Sequence, residues 1–133
     1  MPSAHQVQRA LFYVMKRIIM SATIFHKIIN REIPATIEYE TDTLIVIHDI
    51  HPQAPFHFLI IPKKSIRSVN ELEKSDTHLI FEMLQTAKLL AIRHHFVEQG
   101  YRIVMNCEEW GGQTVFQLHM HVLAGKQLTG GFS

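Results

Sequence analysis

The chain has 133 residues, 47% of them hydrophobic and 19% charged, which supplies the core of one ordinary domain and excludes a disordered chain. A single cysteine, Cys107, excludes an internal disulfide and a cysteine-based structural zinc site, and it fits a reducing compartment, so the cytoplasm is the expected location. The net charge of +1 hides an asymmetry: residues 1–20 carry Arg9, Lys16 and Arg17 and no acid, so the rest of the chain is net negative and lacks the basic excess of a DNA or RNA binder.

In residues 1–20, Val7, Leu11, Val14 and Ile18 recur at helical spacing, as in a short amphipathic helix. Three readings of this segment stay open: an extension packed on the domain or a partner, a surface-binding basic helix, or a stretch upstream of the true start, since Met20 directly precedes a clean domain opening. Residues 21–133 are read as the domain proper. No stretch approaches about 20 apolar residues, so no membrane span is expected.

Ser21 or Thr23 can cap a short helix through residues 24–33, which Pro34 stops. Strands are expected at 36–40, 44–47 and 57–61, the first two joined by a turn at Thr41-Asp42. From 75 to 98 the period becomes helical: Leu79, Ile80, Met83, Leu84, Ala87, Leu90 and Ala91 form one stripe, and Gly100 is a natural stop. A fourth strand over 101–106, a loop over 107–114 and a fifth strand over 115–123 complete the chain. Short connections favour antiparallel pairing, so the expected fold is α+β: a five-stranded antiparallel, meander-like sheet with one long and one short helix packed on one face.

The chemistry concentrates in Gly111-Gly112-Gln113-Thr114-Val115-Phe116-Gln117-Leu118-His119-Met120-His121. In a strand, Gln117, His119 and His121 share one face while Leu118 and Met120 point into the core. One reading is a solvated polar row. Another is a zinc site, with His57, Asp49 or His51 completing the ligands.

The stretch also resembles the histidine-triad motif, in which histidines alternate with apolar residues. Thr23-Ile24-Phe25, Arg31-Glu32-Ile33-Pro34, His48-Asp49-Ile50, Pro52-Gln53-Ala54-Pro55, His57-Phe58-Leu59 and Ile61-Pro62-Lys63-Lys64 follow the order of the Hint branch, the histidine-triad nucleotide-binding proteins, over about residues 21–125. The resemblance implies hydrolysis at the α-phosphate of nucleoside 5′-phosphoramidates, acyl-nucleotides or related AMP conjugates, through a nucleotidyl-imidazole intermediate. His119 maps onto the nucleophile, His121 onto a phosphate contact, and His57 onto a histidine of the same cluster. Thr114 maps near the leaving group and Asn106 near the scissile phosphate, with Gly112 and Gln113 in the loop that receives the anion. Phe25, Ile47 and Ile50 map onto the base pocket and Asp49 onto the ribose clamp. The implied ligand is a purine nucleotide such as AMP, GMP or an adenosine conjugate; no metal or other cofactor is required. The implied assembly is a homodimer with the long helix and the fourth strand at the interface, the two fourth strands pairing edge to edge into one continuous sheet.

Two departures bear on this. Gln117 stands where the motif has its first histidine and cannot change charge, which leaves open an AMP-binding or interaction protein with vestigial catalysis. The tail lacks the aromatic, proline-containing end of many Hint proteins, so the leaving-group side is open, and dinucleoside-polyphosphate and DNA-adenylate hydrolases are related alternatives. Without the resemblance, Phe25 and Ile47 read equally as core, Asp49 as a turn residue and Gly111-Gly112 as a turn.

Overall fold

The computed structural model describes residues 1–11 and 23–131. Helix α1 is described over residues 4–11, with Val7 and Leu11 exposed; Val14, Ile18, the alternative cap Ser21 and the boundary drawn at residue 20 lie outside the described residues. The short helix α2 spans Ile24–Ile29, and the Thr23 hydroxyl accepts the His26 N–H at its start. It stops before Pro34 because Arg31 turns left-handed at φ 62°, where Arg31 N–H bonds the Ile28 carbonyl and Glu32 N–H bonds that of Lys27.

Strands β1 (Ile37–Glu40), β2 (Leu44–His48) and β3 (Phe56–Pro62) follow. Thr41 closes the first hairpin, its hydroxyl accepting the Thr43 and Leu44 N–H groups. After two 3-10 turns comes the long helix α3 (Thr77–Arg93). It ends earlier than Gly100 suggests: His95 adopts φ 61°, and Phe96 N–H bonds back to the Ala91 carbonyl. Strands β4 (Arg102–Val104) and β5 (Met120–Ala124) are shorter than expected, and β5 lies between β3 and β4. The order β1-β2-β3-β5-β4 is antiparallel throughout, which confirms the five-stranded α+β sheet and replaces the simple meander.

The two helices cover opposite faces, not one. Leu44, Val46, Phe58, Ile60, Met120 and Val122 join the α3 residues Met83, Ala87, Leu90 and Ala91 in one buried cluster. The alternate residues Ile45, Ile47, Leu59 and Ile61 join Phe25 and Ile28 of α2 in the other. Central strands buried on both faces carry unbroken apolar runs. Among the described residues, no helix is long and apolar enough to cross a membrane.

Candidate active site

The α2 face of β3 and β5 gathers the histidines. Leu59 lies opposite His121 and His57 opposite Leu123, so His57 and His121 are diagonal neighbours on one face. Their ring centroids are 5.2 Å apart, and His57 Nε2 lies 2.9 Å from His121 Nδ1. His119, one residue before β5, places its ring 5.1 Å from that of His121, with Phe25 of α2 meeting it edge-on at 4.9 Å.

The hydrogen bonds fix the proton positions. Gln53 N–H donates to His57 Nδ1 at 3.0 Å, so neutral His57 carries its proton on Nε2. That proton is directed at His121 Nδ1 and, at 3.4 Å, at the Asp49 carboxylate. His121 therefore accepts at Nδ1 and carries its own proton on Nε2. His119 is the reverse: Nδ1 lies 2.7 Å from the Gln117 carbonyl, which can only accept, so Nδ1 holds the proton and Nε2 a free lone pair.

Electrostatics keep these rings neutral. Burial pushes the His121 pKa down to about 4, helped by the neighbouring His119 and His57 and opposed by Asp49. Burial also lowers His119, against the Gln117 carbonyl and Asp49, and lowers His57, against Asp49.

Asp49, His57 and His121 bring three ligand-type atoms within 4.8 Å of one another. The donor set suits a metal poorly. A neutral histidine ligating through Nε2 must hold its proton on Nδ1, and in His57 that atom faces the Gln53 N–H.

Gln117 departs from the strand expectation. Regular pairing starts only at Met120, and Gln117 is fully buried rather than part of a solvated row. Its amide bonds the backbone of Pro62, Lys64 and Ile66 rather than either imidazole.

The loop before it is tied to residues 67–68 by pairs 40 or more residues apart in sequence and closed by short-range bonds of its own. Arg67 makes two bonds to the Glu108 carboxylate, at 3.0 and 2.9 Å, and lies 4.1 Å over the Phe116 ring. Glu108 is held at φ 61°, ψ −179°, a conformation costly for any residue but glycine. Gln113 spends both its main-chain N–H and its side chain inside this loop, on Glu108, Arg67 and Val115. Asn106 donates to the Gly111 carbonyl and lies against Gly112, whose φ of 86° suits glycine. Thr114 is exposed and Trp110 fully so.

Of the remaining sequence-derived candidates, Phe25 and Ile47 lie in the apolar cluster beneath the site, at 7% and 4% exposure. Asp49 accepts the His51 N–H through one oxygen, as a turn residue does, and approaches His57 through the other. Ile50 stands out at 79% exposure. Sequence reasoning missed Gln53, Arg67 and Glu108; the first acts through its main chain, and the other two meet only through the fold.

The sequence matches the HIT domain family over residues 30–128. It is 43% identical, over 106 residues, to the purine nucleoside phosphoramidase of Escherichia coli (strain K12), covering 80% of this chain and 89% of that protein. Two similar solved structures are HIT family hydrolases. That from Legionella pneumophila has a TM-score of 0.78 at 44% identity, covering 80% of this chain and 95% of that one. That from Clostridium thermocellum has a TM-score of 0.80 at 41% identity, covering 84% and 97%.

Proposed function

The chain belongs to the HIT domain family, and from that premise we propose that it hydrolyses nucleotide conjugates at the α-phosphate, with purine nucleoside 5′-phosphoramidates as the substrate class. The observation that carries this reading is the His119 Nδ1–H bond to the Gln117 carbonyl, which leaves Nε2 as a free, neutral nucleophile. In the proposed first step the Nε2 lone pair forms a bond to phosphorus, the bond from phosphorus to the leaving group breaks, and the departing amine takes up a proton from solvent. Water then adds to phosphorus and gives up a proton to solvent, the P–N bond to His119 breaks with its electron pair returning to Nε2, and AMP and free His119 result. His121, with its proton on Nε2, donates to a phosphoryl oxygen as charge develops there.

Phe25 and Ile47 form the apolar floor for a purine, with Ile50 at its rim. Asp49, whose side chain is 19% exposed, has lone pairs left for the ribose hydroxyls beyond those facing His51 and His57. Asn106, Gly112 and Thr114 line the leaving-group side, and Gln113 gives the loop its shape. We place the protein in the cytoplasm and assign it a homodimer. Phe81, Leu84 and Ile92 form an exposed apolar stripe along α3, and β4, with Ile103 exposed, is a sheet edge that a second copy can cover.

The test is AMP release from an adenosine phosphoramidate with chelator present, for wild type and His119→Ala. The reading expects release by the wild type only. Binding of AMP without release by either protein would leave a nucleotide-binding protein and remove the hydrolase reading, and loss of wild-type release to the chelator would restore a metal.

A further inference from the structure

Gln117 occupies the position at which the motif has its first histidine, yet its side chain touches neither imidazole. Its Oε1 accepts the Ile66 N–H at 3.0 Å, and its Nε2 donates to the Pro62 carbonyl at 3.0 Å and the Lys64 carbonyl at 2.8 Å. One residue on, Leu118 N–H donates to the Ile66 carbonyl at 2.7 Å. Ile66 is thus gripped from both its peptide groups, once by main chain and once by a side-chain amide standing in for main chain. The arrangement extends sheet-like pairing ahead of β5, where no regular ladder exists, and the residue is 0% exposed. The charged neighbours are already paired: Lys64 with Asp76, and Arg67 with Glu108.

We propose that Gln117 is a positioning residue: its neutral amide locks the 117–118 peptide segment so that its own carbonyl stays the acceptor for His119 Nδ1–H, which keeps Nε2 of His119 unprotonated. The consequence for turnover rests on the hydrolase reading above; the consequence for the His119 proton does not. The choice of side chain follows from donor counting. The position demands one acceptor and two donors, which an amide supplies in one neutral group. A neutral imidazole supplies one of each, an imidazolium no acceptor, a carboxylate no donor and a thioether no N–H or O–H. Gln117→His must therefore strand at least one main-chain group, a carbonyl while the ring is neutral or the Ile66 N–H when it is charged. Gln117→Glu satisfies Ile66 and one carbonyl only while protonated, so its defect deepens as pH rises.

The experiment reads the His119 ring nitrogens by 15N NMR in wild type and Gln117→Met, alongside AMP release from an adenosine phosphoramidate and AMP binding. The wild type should show the Nδ1–H tautomer alone and Gln117→Met a mixture. Its kcat should fall about 100-fold, as for small misplacements of reacting groups, with AMP affinity nearly unchanged. For Gln117→Glu, the rate relative to wild type should rise on going from about pH 8 to about pH 5.5, reversibly in one sample. That comparison decides the matter if Gln117→Met does not fold. A single Nδ1–H tautomer in Gln117→Met, or a Gln117→Glu profile parallel to wild type, overturns the proposal. If the wild type releases no AMP, the hydrolase reading fails and the tautomer comparison still judges the clamp.

Discussion

Lowering the pH from 7 to 5 should weaken the fold through the imidazole cluster, before the stabilising carboxylates titrate. His121 protonates near 4 in the folded protein, where burial, His119 and His57 disfavour the charged ring and Asp49 favours it. In the unfolded chain it protonates at about 6.5. The native form is the neutral one, so its contribution is whole above the unfolded pKa and is lost as pH falls toward the folded value. Between these two pH values, proton linkage gives about 2 kcal/mol for His121, or about 1 after allowing for its partial exposure. Burial lowers His119, His57 and His26 in the same direction, so their losses add. The lowered carboxylates act in a more acidic window: Asp76, held down by Lys64 and the Glu73 N–H; Glu40, held down by Lys63 and Arg31; and Glu38, where burial opposes the lowering but His94 and His48 outweigh it. With an m-value of about 1–1.5 kcal/mol/M, the urea midpoint should fall by about 1 M. Far-UV circular dichroism is the suitable probe, because Trp110 is fully exposed and reports little of the core. His121→Asn keeps an acceptor for the His57 proton but cannot titrate, so its midpoint should fall distinctly less. A His121→Asn profile that declines as steeply as wild type between pH 7 and 5 would refute the assignment.

Phe58→Ala empties a fully buried position between β3 and α3 and should cost about 3–5 kcal/mol in chemical denaturation. Gly125→Ala places a methyl group 2.8 Å from the Pro55 Cβ at a φ of 98°, so thermal unfolding should show a loss of about 1–3 kcal/mol. A double-mutant cycle of Arg67→Met and Glu108→Gln should return a coupling of about 1–3 kcal/mol, because the Arg67 side chain is only 7% exposed and the contact is bidentate. Additivity within error would mean that the pair does not hold the loop.

The strands were readable because β-branched and aromatic runs are local signals. Leu44–Ile47 and His57–Ile61 fall inside β2 and β3. The same runs also held the correction to the layer arrangement, since four apolar residues in succession cannot satisfy a sheet with only one buried face. Helix ends were harder. Pro34 and Gly100 are visible punctuation, but the chain turns earlier, at Arg31 and His95, non-glycine residues in a left-handed conformation that composition does not announce. The β5 start was invisible for another reason: Gln117 satisfies backbone groups 51 to 55 residues away, so its role exists only after folding.

The paired histidines show how far a motif can be read before the fold is needed. His119 and His121 are two residues apart and chemically identical, yet they hold opposite tautomers. His119 faces an acceptor, the carbonyl of Gln117. His121 faces a donor, the His57 Nε2–H, whose own placement is dictated by the Gln53 main-chain N–H. A His-x-His strand pattern is compatible with metal ligation or with nucleophile-and-donor chemistry, because spacing alone says nothing about protons. The partners separate the two. A metal site would favour second-shell acceptors behind its imidazoles, whereas here one ring is backed by an acceptor and the adjoining line begins at a donor. The result is one free lone pair and one free N–H side by side, the pairing that the proposed attack on phosphorus needs.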